Sequence, residues 1–134
     1  MKNYSILIID DDKDLLKSLK AILEGDNYKV STANDAKTGL NMFNEHKPDL
    51  LLLDVMMDSD LEGQRLAHSL KSDSENRDLP ILIITGMTDT LGVNIRDAFE
   101  DIENLPNVHM LDKPFESDEL LTAVRQLTEG SVIK

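Results

Sequence analysis

Four short polar stretches in this sequence each close an apolar run, and their side chains are of types that handle phosphate. Asp10-Asp11-Asp12 follows Ser5-Ile6-Leu7-Ile8-Ile9, and Asp54 follows Leu50-Leu51-Leu52-Leu53. Thr85 follows Ile81-Leu82-Ile83-Ile84, and Asp112-Lys113 follows Val108-His109-Met110-Leu111. Carboxylates packed together repel one another, and burial raises that cost. A hard divalent cation relieves it, and Mg²⁺ takes a few carboxylates, some waters and a phosphoryl oxygen. An aspartate held beside such a cation, an ammonium and a hydroxyl is equipped to attack phosphorus. The two positive charges neutralise the phosphoryl oxygens, and the hydroxyl donates to one of them. The product is an aspartyl phosphate. Each run alone has a plain structural reading: an aspartate can end a strand, and a lysine can sit on the surface.

The runs can act together only if the strand ends are neighbours. Four leucines without alternation read as a strand buried on both faces, as in the middle of a parallel sheet. Around it the chain alternates strand and helix. After the first strand, Leu15, Leu16, Leu19, Ile22 and Leu23 repeat at helical spacing, and Gly25 supplies a stop. Tyr28 to Ala33 reads as a short edge strand. Asn34 or Asp35 caps a helix carrying Leu40 and Phe43. Leu66, Ala67 and Leu70 mark a short helix over 63–71, and the polar stretch 72–79 reads as a loop. Leu91, Ile95, Ala98, Phe99, Ile102 and Leu105 share one face of a fourth helix. Ser117 caps a last helix with Leu120, Leu121, Val124 and Leu127 inward.

Five strands alternating with five helices predict an α/β fold, a parallel sheet with right-handed crossovers and helices on both faces. The length suits a single doubly wound five-stranded sheet of order 2-1-3-4-5. In that order strands one and three are neighbours, with four and five beyond. Asp54 is then flanked by acids on one side and by Thr85 and Lys113 on the other.

The chain has 134 residues, which predicts one domain with a core over 5–129 and a tail over 130–134. Acidic residues number 26 against 14 basic, a formal charge of −12. Nucleic-acid phosphate is repelled by that surface and no basic stripe interrupts it, so no direct nucleic-acid binding is expected. There is no cysteine, hence no disulfide or thiolate chemistry. No apolar stretch approaches the roughly 20 residues of a membrane span, so no membrane association is expected. The first apolar run is short and ends in acids, unlike a signal peptide, and a cytoplasmic location is expected. His46, His68 and His109 are scattered and suggest no metal cluster.

From about Ser5 to Glu129 the sequence resembles the receiver domain of two-component response regulators, whose fold is flavodoxin-like. The stretches that carry the resemblance are Ile8-Ile9-Asp10-Asp11, Leu53-Asp54-Val55-Met56-Met57, Ile84-Thr85-Gly86 and Lys113-Pro114-Phe115. The resemblance implies that Asp54 accepts a phosphoryl group. Asp11 and the Met56 carbonyl would hold Mg²⁺ directly, and Asp10 would act through metal-bound water. Thr85 would bond the phosphoryl group and Lys113 pair with it, after a cis Lys113–Pro114 bond. The implied partners are a sensor histidine kinase or histidine phosphotransfer protein and a downstream effector protein, with room for a phosphorylation-dependent dimer. Such a protein catalyses its own phosphorylation and slow hydrolysis and is otherwise no enzyme. Asp12 reads as a helix cap beside the site.

Three departures from the family pattern stand out. Residues 58–63 are acidic and lack the Pro-Gly turn common there. Met110 occupies a position where many receivers carry an aromatic switch residue. Thr85 and Lys113 are 28 positions apart, a longer span than expected, which makes 86–106 the expected moving segment. Two other readings compete. A pseudo-receiver keeps the fold without being phosphorylated, yet every site residue is present here. A phosphohydrolase resembling the haloacid dehalogenase group would use Asp10-Asp11-Asp12, and it leaves Asp54 without a role.

Overall fold

The computed structural model describes residues 4–54, 62–85, 107–112 and 115–128. The fourth helix read between Leu91 and Leu105, the cis Lys113–Pro114 bond and the tail lie outside the described residues.

Five parallel strands form: β1 (Ser5–Ile9), β2 (Lys29–Ala33), β3 (Leu50–Asp54), β4 (Ile81–Thr85) and β5 (Val108–Asp112). Their order is β2-β1-β3-β4-β5, as the alternation predicted. Between them run α1 (Lys13–Gly25), α2 (Ala36–Glu45) and α3 (Glu62–Lys71), and α4 (Ser117–Thr128) follows β5.

Strand β3 is central, and every one of its residues is buried. Its alternate side chains enter two separate cores. Leu51 and Leu53 join Leu7, Ile9, Ile81 and Ile83 beneath Phe43, Leu66 and Leu70. Leu50 and Leu52 join Ile6, Ile8, Leu82 and Ile84 beneath Leu16, Leu19, Leu120 and Val124. Burying each such side chain is worth roughly 1.5–3 kcal/mol, so the leucine run anchors both layers at once. By contrast β2 alternates exposed and less exposed residues, as suits the sheet edge.

Local chemistry sets the helix ends. Asp12 caps α1, its Oδ1 accepting from the Asp14 and Leu15 amides at 3.0 and 3.1 Å. Asp35, the second of the two expected caps, accepts from the Thr38 amide at 2.7 Å. The chain leaves α1 after Gly25, but the left-handed residue is Asn27, with φ 72°. Asparagine tolerates that region through local hydrogen bonding. The last helix corrects the sequence reading. Ser117 is its first helical residue, and Glu116 stands at the cap. The Glu119 carboxylate reaches back to accept from the Glu116 amide at 2.9 Å, the returning half of a capping box.

The stretch 72–79 is a connection, as expected, but it holds a short 3-10 turn (Ser74–Asn76) and a buried asparagine. Asn76 Nδ2 donates to the Leu70 carbonyl at 3.0 Å, and the neighbouring Lys71 is also buried.

Candidate functional site

Parallel register decides which strand ends meet. Ile9 pairs with Leu53, so one residue further along each strand lie Asp10 and Asp54. On the opposite side of β3, Asp54 pairs with Ile84, and Thr85 is the next residue of β4. Thr85 in turn pairs with Asp112, the last residue of β5. Ligands in open parallel sheets bind at these carboxyl ends, where the strand order reverses. The reversal here falls between β1 and β3.

Three of the predicted residues converge there. Asp10, Asp11 and Asp54 each offer a carboxylate oxygen, and these oxygens lie within 4.8 Å of one another. Asp10 and Asp54 are almost wholly buried, 1% and 4% exposed, whereas Asp11 is half-buried at the rim. The backbone holds Asp10 from two directions. Its amide donates to the Ala33 carbonyl at 3.1 Å, extending the β1–β2 ladder. Its Oδ1 accepts from the Asp12 amide at 2.9 Å as the chain turns into α1.

Three successive acids therefore do different work. Asp10 and Asp11 belong to the cluster, and Asp12 caps the helix. The layer beneath is tightly packed. Gly39 of α2 sits so close to Ile9 that a β-carbon there would fall 2.7 Å from Ile9 Cγ1. The strand residue that delivers Asp10 is thereby fixed against its helix.

The donor set is three hard carboxylate oxygens with no nitrogen or sulfur, which suits Mg²⁺ and not a softer metal. Among the described residues this is the one group of that kind. The acidic surface adds a negative field that draws cations toward it. Of the other predicted site residues, Thr85 has its backbone at the end of β4, where expected. Met56 and Lys113 lie outside the described residues.

Comparison with known proteins agrees with this architecture. Residues 6–125 match the family model for the response regulator receiver domain. The chain belongs to that family. It is 34% identical to the response regulator PleD of Caulobacter vibrioides over 128 residues, which cover 96% of this chain and 27% of PleD. It is 37% identical to the response regulator MprA of Mycobacterium leprae over 124 residues, 91% of this chain and 50% of MprA. The chain thus spans between about a quarter and a half of these relatives. Among solved structures, a putative response regulator from Chloroflexus aurantiacus superposes with a TM-score of 0.78 at 28% identity, covering 95% of this chain and 98% of that one. The receiver domain of a signal transduction histidine kinase from Syntrophus aciditrophicus gives 0.80 at 25% identity, with 98% and 94% covered.

Proposed function

We propose that this chain accepts a phosphoryl group on Asp54 from a phosphohistidine of a sensor kinase or phosphotransfer protein, and thereby changes its affinity for a downstream effector. The observation that carries the reading is the convergence of Asp10, Asp11 and Asp54 at the strand-order reversal. An acceptor carboxylate needs a cation beside it, and two further carboxylates supply the means to hold one.

Asp10, Asp11 and the Met56 carbonyl would hold Mg²⁺, with Asp10 acting largely through bound water. Bound there, the ion supplies charge neutralisation for the phosphoryl oxygens. An Asp54 carboxylate oxygen forms the new bond to phosphorus. The P–N bond of the phosphohistidine breaks, and its electron pair returns to the imidazole. The Thr85 hydroxyl donates to a phosphoryl oxygen, and the Lys113 ammonium pairs with another. Water later attacks the same phosphorus, releasing inorganic phosphate and the free carboxylate. Apart from this self-directed chemistry the chain has no external product.

The family places its members among two-component regulators. The absence of direct nucleic-acid binding fits the charge of −12, and a cytoplasmic location belongs to the same proposal. Among the described residues no helix is long and apolar enough to cross a membrane. Incubation with a small acyl phosphate and Mg²⁺ tests the reading. One phosphoryl group should appear in the intact mass, and Asp54→Ala should remain unlabelled. Equal labelling of Asp54→Ala rejects it, and steady turnover of a phosphate monoester would point to the phosphohydrolase alternative.

A further inference from the structure

At the opposite end of the sheet from the carboxylates, α3 closes on a buried cation. Lys71, the last residue of α3, is only 8% exposed. Its Nζ donates to the carbonyls of Asn76 at 2.8 Å and Arg77 at 3.2 Å, and to that of Leu79. An ammonium on a side chain has three hydrogens and accepts nothing, so these three carbonyls satisfy it in full. Asn76 is buried as well, and its Oδ1 has no hydrogen-bond partner among the described residues. The corner therefore holds more oxygen acceptors than its donors fill, a surrounding that favours positive charge. Burial lowers the Lys71 amine to about 8 against the attraction of Asp78, which leaves it charged at neutral pH.

The same carbonyls belong to the backbone frame. That of Asn76 also accepts from the Leu79 amide at 3.1 Å, and that of Arg77 from Asn107 Nδ2 at 3.0 Å. The Asn107 carbonyl accepts from the Ile81 amide at 2.9 Å. The ammonium thus sits where the end of α3, the 72–80 connection and the starts of β4 and β5 meet.

We propose that the carbonyls of Asn76, Arg77 and Leu79 form a binding site for a primary ammonium ion, which the chain fills with its own Lys71. Converging backbone carbonyls are a means by which proteins replace the hydration shell of a monovalent cation. On this reading the cation, and not the packing of the lysine stem, holds the connection in shape. Three acceptors around one nitrogen suit the compact ammonium and not the planar fork of a guanidinium. Lys71→Ala removes the charge and the stem together, which makes room for a small alkylammonium. Lys71→Met keeps the room filled and supplies no donor.

Hydrogen exchange at the Arg77 and Leu79 amides, which donate to the Ser74 and Asn76 carbonyls, reads the connection directly. At neutral pH, Lys71→Ala should lower protection there by about tenfold or more, the loss of at least one charged hydrogen bond. Ethylammonium should restore most of it. Tetramethylammonium at the same ionic strength has no N–H and should restore none. Lys71→Met should lose protection as the alanine variant does and gain nothing from ethylammonium. An alanine variant that responds equally to the two cations, or a methionine variant with wild-type protection, overturns the site. In the unmodified protein, the Lys71 Nζ resonance at neutral pH should show a charged amine with slowly exchanging protons. A neutral or rapidly exchanging amine overturns the proposal even if both variants fail to fold.

Discussion

Arg125 on α4 grips Asp26 at the end of α1 through a two-pronged contact, Nε to Oδ2 at 3.0 Å and Nη2 to Oδ1 at 2.9 Å. The pair joins the two helices that cover the same face of the sheet as Leu50 and Leu52. Its planar geometry is the favourable one for arginine and carboxylate. The Arg125 hydrogen bond holds the Asp26 carboxyl below its usual value. The stabilisation is therefore present above the unfolded value of 3.8 and is lost as pH falls through the lower folded one. The Arg125 side chain is 52% exposed, so solvent screens the interaction. Asp26→Asn should cost about 0.2–1 kcal/mol at neutral pH in a denaturant titration. The difference from the wild-type chain should shrink to nothing in acid and narrow in high salt.

Gly39 and Ile9 give a second test, because the strand residue that delivers Asp10 is wedged against α2. Alanine is the better helix former by about 1 kcal/mol, so Gly39→Ala gains on propensity alone. Against that, its methyl overlaps a side chain that is 1% exposed and has nowhere to retreat. Overpacking of this kind costs about 1–3 kcal/mol, so Gly39→Ala should be neutral to destabilising by about 2 kcal/mol. Ile9→Val removes the nearest methyl. Valine keeps both γ-carbons, so in that background the cost of Gly39→Ala should shrink without vanishing, and the coupling between the two substitutions is the quantity to measure in a double-mutant cycle.

Metal should bind the folded chain and not the unfolded one. Mg²⁺ at about tenfold above its dissociation constant then adds roughly 1.4 kcal/mol and raises the melting temperature. Asp11→Asn removes one of the three clustered carboxylates and should remove most of that rise, without lowering the metal-free melting temperature. A thermal melt of both proteins, with and without millimolar Mg²⁺, decides this. Equal shifts in the two would take Asp11 out of the metal site.

Much of the architecture was readable because three of the strands carry unbroken apolar runs. Ile6 to Ile9, Leu50 to Leu53 and Ile81 to Ile84 must be buried on both faces, and only a parallel sheet between helices offers that. The order then puts β1 beside β3, and the meeting of Asp10, Asp11 and Asp54 follows from register. Helix ends were read less well where a local hydrogen bond outvoted residue preference. Ser117 looks like a cap, but the Glu119 carboxylate reaches the Glu116 amide and moves the boundary back by one. Gly25 looks like the left-handed stop, but Asn27 takes that conformation. Polarity hid most around 71–79, where Lys71 and Asn76 count as solvent-facing by type. Their burial depends on backbone carbonyls that no residue pattern displays.

The most direct test of the central claim is to locate the phosphoryl group. An acyl phosphate on an aspartate is reduced by borohydride to the alcohol, leaving homoserine in its place. After incubation with a small acyl phosphate and Mg²⁺, reduction and peptide mapping should find homoserine at position 54 and nowhere else. Homoserine at Asp10 or Asp11 instead, or an unmodified Asp54 in a chain whose intact mass had gained a phosphoryl group, would contradict the account.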